Sequence, residues 1–391
     1  MRICIVTWEY PPNIVGGLSI HCKGLAEALA KIGEEVDVIT VGDRDEVING
    51  VNIYRVSPPY HSHFLTRILL MAEELEKKVG IVDKDYDVIH CHDWMTHFVG
   101  ANLKHNRKIA YVQSIHSTEM GRCGGINSED SSLIHHLEWL STYESCQVIT
   151  VSRALKEEVC SIFSTPWDKV NVIYNGINPE EFDLNLSYEE KINFRRSIGV
   201  HDNEIMLLYV GRLTYQKGVE YLIRAMPILL SKYNIRLVIA GNGDMANYLK
   251  DLCNWLNVGH KVNFLGFVNG ERLKYLYNSA DLTVIPSIYE PFGIVALEAM
   301  ASGCPVVASS VGGLREIIQH EYNGIWVYPG NPESIAWGVS RVLDDEGLRN
   351  YIVKNAKKDA YTKYSWINIA KETVKVYKKA IEMMSYGKPL G

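Results

Sequence analysis

Residues 281–303 read Asp281-Leu-Thr-Val-Ile-Pro286-Ser-Ile-Tyr-Glu290-Pro-Phe-Gly293-Ile-Val-Ala-Leu-Glu298-Ala-Met-Ala-Ser-Gly303, and this stretch decides the fold. Leu282 to Ile285 is short, mostly apolar and β-branched, as a strand buried in a parallel sheet must be. Pro286 and Pro291 then favour a loop. From Gly293 the apolar positions Ile294, Leu297 and Ala301 fall on one helical face, and Gly303 supplies the stop. Strand, loop and helix form half of a βαβ unit, and ligands of such sheets bind where strands end and helices begin. Gly293 lets a ligand approach the backbone closely. The N–H groups of Gly293, Ile294 and Val295 would face an anion or a hydroxyl-rich ligand. Glu290 in the loop and Glu298 in the helix could grip two parts of one extended polar ligand. The plainer alternative makes both of them solvated charges.

The chain has 391 residues, 47% hydrophobic and 22% charged, enough for two α/β domains of ordinary size. Eight cysteines are scattered without a Cys-x-x-Cys pair, which reads as free thiols in a reducing cytosol. The opening Met-Arg-Ile-Cys-Ile-Val-Thr-Trp reads as a strand rather than a signal peptide, and no apolar run approaches a membrane span. Residues 1–200 carry 19 basic against 28 acidic side chains, a net of −9; residues 201–391 carry 21 against 18, a net of +3; together they give −6. An acidic first half argues against nucleic acid or an anionic bilayer as the main partner. The mildly basic second half suits a nucleotide or diphosphate.

The first half opens as βαβ. Ile3–Val6 is a strand, and Leu18, Cys22, Leu25, Ala26 and Leu29 recur at helical spacing until Gly33. Residues 36–41 form the next strand. The loop between them, Glu9 to Gly17, has neither a Gly-x-Gly-x-x-Gly fingerprint nor a P-loop. Gly16 and Gly17 at the helix start would seat a phosphate, or else serve a tight turn. Residues 62–79 make an amphipathic helix with Phe64, Ile68, Met71, Ala72, Leu75 and Val79 inward. The strand at 86–91 leads into His90-Cys-His92-Asp93-Trp94. His90 and His92 share a face, but no further ligand cluster follows, so no metal site is expected. The strand at 109–115 delivers His116, and residues 121–132 look like a mobile loop over the ligand. Strands at 147–151 and 170–174 complete this half.

Residues 179–204 are polar and strandless and read as the linker between domains 1–178 and 205–365. After the strand at 205–210 comes Gly211-Arg212-Leu-Thr-Tyr-Gln-Lys217-Gly218. An arginine and a lysine five apart at a helix start can converge on one anion, the arginine as a planar fork and the lysine as a point charge. Two exposed surface cations are the alternative. Strands at 236–240 and 262–265 end at Gly241-Asn-Gly243 and Gly266-Phe267-Val268. The strand at 305–309 precedes Val311-Gly312-Gly313, and 324–327 is the last. Residues 366–391 form a terminal helical segment.

Glu290-Pro-Phe-Gly293…Glu298 resembles the Glu-x7-Glu signature of retaining glycosyltransferases with the GT-B fold. The likeness is strongest to family 4 and its glycogen- and starch-synthase relatives, and within family 4 to an archaeal branch. Gly16-Gly17, His-x-His-Asp-Trp and Gly-Arg…Lys-Gly extend the resemblance over nearly the whole chain. It implies an α/β GT-B architecture: two Rossmann-like, doubly wound parallel-sheet domains facing a central cleft, with residues 366–391 crossing back to the first. It further implies that Arg212 and Lys217 neutralise a donor diphosphate, Glu290 holds sugar hydroxyls and Glu298 the ribose. His116 would lie beside the donor sugar and Asp93 on the acceptor side. Gly16, Gly17, Gly293, Ile294 and Val295 would give backbone groups to the donor, and Gly243, Phe267 and Val268 would line the base pocket. Ile14 stands where glycogen synthases carry the lysine of Lys-x-Gly-Gly, which argues against a glycogen synthase proper.

The expected reaction is transfer of a hexose from a UDP-, ADP- or GDP-sugar to a hydroxyl of a carbohydrate or lipid-linked acceptor, with retention. The nucleotide sugar is a substrate, and neither metal nor cofactor is expected. The expected setting is cytoplasmic, peripheral at the membrane where the acceptor is lipid-linked. Glucan elongation of the glycogen- or starch-synthase type, a nucleotide-sugar 2-epimerase, a pyridoxal-phosphate phosphorylase and a non-catalytic binding module are the alternatives.

Overall fold

A computed structural model describes residues 1–14 and 16–386. The chain divides into two compact units, Met1–Gly176 with the described residues from Trp366 onward, and Ile177–Ser365.

The first unit holds an eight-stranded sheet: β1 (Arg2–Val6), β2 (Glu35–Val41), β3 (Glu46–Ile48), β4 (Val51–Val56), β5 (Val88–His92), β6 (Ala110–Ile115), β7 (Gln147–Thr150) and β8 (Val170–Val172). Their order is β3-β4-β2-β1-β5-β6-β7-β8. Every pairing is parallel except β3 with β4. Side-chain alternation splits the core in two. Ile3 and Ile5 of β1 join a cluster under the helices Gly17–Lys31 and Trp366–Tyr386, whereas Cys4 and Val6 face the helices Phe64–Val82 and His97–Arg107. Each fully buried aliphatic side chain contributes on the order of 1.5–3 kcal/mol, so both faces are firmly committed. The β3–β4 hairpin was not expected. Its turn is Asn49-Gly50, both at positive φ, as a type I′ turn requires. The helix expected at 62–79 runs Phe64–Val82, with Leu65 rather than Phe64 facing inward. The stretch expected as a mobile loop is mostly helical, at Glu119–Cys123 and from Glu129 onward. Arg122 pins it by pairing with Glu119 and Glu138 at 2.9 and 2.8 Å.

The second unit holds six parallel strands: β9 (Ile205–Val210), β10 (Ile235–Ala240), β11 (Val262–Gly266), β12 (Leu282–Ile285), β13 (Val306–Ser309) and β14 (Ile325–Val327). The order is β11-β10-β9-β12-β13-β14. The chain adds strands outward on one side from β9, then returns to β12 and adds them on the other. The crevice between the C-terminal ends of β9 and β12 is therefore the topological switch point, where such sheets bind ligands. The first unit has its own switch between β1 and β5. The stretch expected as a linker is built into the second unit. Its Tyr188–Ser197 helix starts with a Ser187/Glu190 capping box, and Arg195 pairs with Asp281 at 2.9 Å.

Candidate active site

At the second unit's switch point, Lys217 follows β9 and Glu290 follows β12. Lys217 Nζ donates to Glu290 Oε2 at 2.7 Å, and Ser287 Oγ donates to the same oxygen at 3.1 Å. The two side chains keep only 18% and 12% of their exposure, so the pair is screened less than a surface salt bridge. Backbone bonds fix its geometry: the Gln216 carbonyl accepts from Ile288 and Tyr289, and the Glu290 carbonyl accepts from Gly313. Gly218 sits at φ +62, and a Cβ there would lie 2.1 Å from the Pro286 carbonyl oxygen. Gly218→Ala is therefore expected to push the two loops apart, costing about 1–3 kcal/mol of stability and misplacing Lys217. Chemical denaturation and activity measured on one preparation check this.

Arg212 is exposed, and its guanidinium makes no hydrogen bond or ion pair among the described residues, while Tyr209 Oη donates to its carbonyl at 2.8 Å. Its side chain is thus held at the base and free at the tip. Gly293, at φ +107, caps the Ile294–Ala301 helix. The half-buried Ile294 and Val295 present first-turn N–H groups that have no intrahelical acceptor. Glu298 lies in this helix and is buried, which counts against the plainer alternative of a solvated charge. Tyr277 Oη donates to its Oε2 at 2.7 Å, leaving Oε1 for a ligand. Burial raises the Glu298 carboxyl to about 7, with the tyrosine hydrogen bond pulling the other way. Phe267 is exposed and Val268 half-buried after β11, and Gly243 packs on the Leu213 backbone after β10.

In the first unit, His92 ends β5, Asp93 follows it, and His116 follows β6. Asp93 adopts φ +58, strained for a non-glycine residue, and its Oδ1 accepts the His116 N–H at 2.9 Å. Burial raises the Asp93 carboxyl to about 6 and lowers the His116 imidazole to about 3. His90 is spoken for: Nδ1 contacts Tyr377 Oη and Nε2 contacts Ser114 Oγ, each at 2.7 Å. His90 and His92 do share a face, with ring centroids 4.1 Å apart, but the group whose ring nitrogens converge is His21, His92 and His116. Gly16 caps the Gly17–Lys31 helix with extended backbone, and a Cβ there would meet nothing within 4 Å. No tight turn demands glycine at 16. Its N–H donates to Glu9 Oε2 at 3.1 Å.

A model described as "Glycosyl transferases group 1" matches residues 190–359, and one described as "Glycosyltransferase Family 4" matches residues 15–181. An uncharacterised glycosyltransferase of Methanocaldococcus jannaschii is 74% identical, over 98% of this chain and 100% of that protein. The chain belongs to the family 4 glycosyltransferases. A glycogen synthase of Mycobacterium tuberculosis is 32% identical over 96% of this chain and 94% of its own. Anabaena HepE, solved in complex with UDP-glucose, superposes with a TM-score of 0.79 at 21% identity, covering 97% of this chain and 99% of HepE. The two parallel-sheet units of this glycosyltransferase are those of the GT-B fold.

Several residues of the glycosyltransferase's candidate site escaped sequence reasoning. Tyr277 holds Glu298 from another helix and Ser287 holds Glu290 from within the same loop, while in the Val311-Gly312-Gly313 turn a Cβ at Gly312 would sit 2.1 Å from the Glu290 carbonyl oxygen. Aspartates alternate at Asp43 and Asp45 and at Asp83, Asp85 and Asp87. Asp45 accepts from Lys78 and from the Arg55 N–H, and Asp87 from the Arg2 N–H, so these carboxylates hold the first sheet. Among the described residues, no helix is long and apolar enough to cross a membrane.

The raised Glu298 pKa has a signed consequence. The native state keeps a proton that the unfolded chain releases near pH 4.5, so this group's contribution to stability is full below that pH. It is lost as pH rises to about 7. Glu298→Gln should therefore gain stability relative to the parent between pH 5 and pH 8. Melting curves at the two pH values test this; parallel shifts would remove Glu298 from the account.

Proposed function

We propose that the enzyme transfers a hexose from a nucleoside-diphosphate sugar to a hydroxyl acceptor, with retention of anomeric configuration and without a divalent metal. The observation that carries this reading is the Lys217–Glu290 pair at the second unit's switch point, on the same turn as Arg212, whose guanidinium has no partner among the described residues, and in the same β12-to-helix segment as the first-turn N–H groups of Ile294 and Val295. Breaking the bond between anomeric carbon and diphosphate leaves negative charge on the phosphate oxygens and positive character on the sugar. Arg212, Lys217 and the helix N-terminus take up the first, in place before the charge develops. Glu290 holds sugar hydroxyls and keeps the Lys217 ammonium aimed. Glu298 Oε1 takes the ribose, and Phe267, Val268 and Gly243 flank the base. In the first unit, Gly17 gives its N–H to the diphosphate, His116 meets the donor sugar and Asp93 the acceptor. The acceptor oxygen bonds to the anomeric carbon on the face the diphosphate leaves. Its proton passes to the departing phosphate oxygen, so no carboxylate nucleophile is required.

The likeness to a glycogen synthase favours a second reading, glucan elongation, against which stands Ile14 in place of a lysine. A thermal-shift panel of UDP-, ADP- and GDP-hexoses tests the donor class, because ligand at about a hundred times its Kd adds about 2.7 kcal/mol. With the donor so found, the expected products are a nucleoside diphosphate and a retained glycoside, formed equally well in EDTA. Epimerised donor without acceptor, or binding with no turnover, would overturn the reading. Extension of maltooligosaccharides would select elongation.

A further inference from the structure

We propose that His21, His92 and His116 form a binding site for a divalent d-block cation of the zinc class, at the C-terminal edge of the first unit's sheet. His21 is the fifth residue of the Gly17–Lys31 helix, His92 ends β5, and His116 directly follows β6. A ring nitrogen of each lies within 4.8 Å of the others. The ring centroids are 4.6 Å apart for His21 and His116, and 5.3 Å for each of the other two pairs.

Two buried atoms point to a ligand. His21 is 2% exposed and His92 0%, and the Nε2 of each has no hydrogen-bond partner among the described residues. A buried polar atom left unpaired costs on the order of 1–3 kcal/mol, and a metal bond satisfies it. The donor chemistry is also right. All three donors are imidazoles, which bind such cations through the lone pair of one ring nitrogen. His21 Nδ1 donates to Asn175 Oδ1 at 2.6 Å, which leaves the lone pair on Nε2. Outer-shell support of this kind is what metal-binding histidines carry. His92 Nδ1 and His116 Nε2, 3.0 Å apart, share one hydrogen. If His92 donates it, His92 Nε2 is also a bare lone pair.

Three imidazoles without a free carboxylate or thiolate suit zinc, nickel or cobalt and not magnesium or calcium. Tetrahedral ligation at about 2.0–2.1 Å sets the nitrogens roughly 3.4 Å apart, so the widest spacing must contract by about 1.4 Å. The half-buried His116 is the ring with freedom to move, and three protein ligands leave a fourth position for solvent or substrate.

Cobalt(II) is the probe, titrated into EDTA-stripped full-length protein. The expected result is one equivalent bound with the intense visible absorption of tetrahedral cobalt, displaced by zinc and unaffected by magnesium. His21→Gln and His116→Gln abolish it, and Asn175→Ala weakens it roughly 10–100-fold. His105→Gln leaves it unchanged, because that ring is exposed and bonded to Glu144. Should a histidine variant fail to fold, X-ray absorption on the zinc-loaded parent reads the site instead, with three imidazole nitrogens expected. Substoichiometric binding, an all-oxygen octahedral spectrum, or full binding by folded His21→Gln would overturn the proposal. One arm rests on the proposed contact of His116 with the donor sugar: zinc should then inhibit transfer competitively with donor. Bound zinc without inhibition would overturn that contact and keep the metal site. Absent cobalt binding would overturn the site and leave the transferase reading intact.

Discussion

Arg212→Ala is expected to lower turnover by roughly 10²–10³-fold, the usual loss when one donor to developing transition-state charge is removed. Stability should barely change. The guanidinium is exposed and makes no hydrogen bond or ion pair among the described residues, and substitutions at such positions usually stay within about 0.5 kcal/mol, a shift in Tm of about 2 °C or less. Because the charge develops only as the sugar leaves, the loss should fall on kcat more than on KM. Steady-state kinetics and a melting curve on the same preparation decide it. Unchanged turnover would remove Arg212 from the mechanism.

Lys217→Met should behave differently, because Lys217 has a partner. It strands the Glu290 carboxylate, which keeps only 12% of its exposure and, among the described residues, retains only the Ser287 hydroxyl as a side-chain donor. We expect a stability loss of about 1–3 kcal/mol in addition to a turnover loss of at least roughly 100-fold. Adding Glu290→Gln removes the stranded charge, so the double variant should recover most of the stability, as paired removal of a buried ion pair often does. It should recover none of the activity. Denaturation and turnover across the four proteins of this cycle separate the structural role of the pair from its catalytic one. Recovery of turnover in the double variant would show that the single substitution acted only through misfolding.

The contrast between those two cations was not visible in the sequence. Arg212 and Lys217 share one turn, and their spacing says only that they could converge. Which one is paired depends on a loop 73 residues later. Where the physics is local, the sequence was enough. The β-branched run at Leu282–Ile285, the prolines after it and the glycine at 293 each dictate a short backbone choice, and strand, loop and helix follow. The Asn49-Gly50 hairpin was equally local and went unread, although Asn-Gly between Val-Ile and Val is a strong type I′ signal. Glu298 was legible only as one of two alternatives, a ligand-gripping carboxylate or a solvated charge. A carboxylate in a helix is most often solvated, and only the packing of Tyr277, 21 residues earlier, shows that this one is buried and held. The imidazole group lay beyond local reading as well. His90 and His92 are two apart and invite pairing, yet His90 is taken by Tyr377 and Ser114 while His21 arrives from another element.

The central claim is that cations at the second unit's switch point recognise the charge released on a diphosphate. Calorimetric titration of nucleoside diphosphate against nucleoside monophosphate, with the base picked by the thermal-shift panel, tests it without any need to know the acceptor. The parent should bind the diphosphate much more tightly, and Arg212→Ala combined with Lys217→Met should bind the two alike. A preference for diphosphate that survives intact in the double variant would contradict the account.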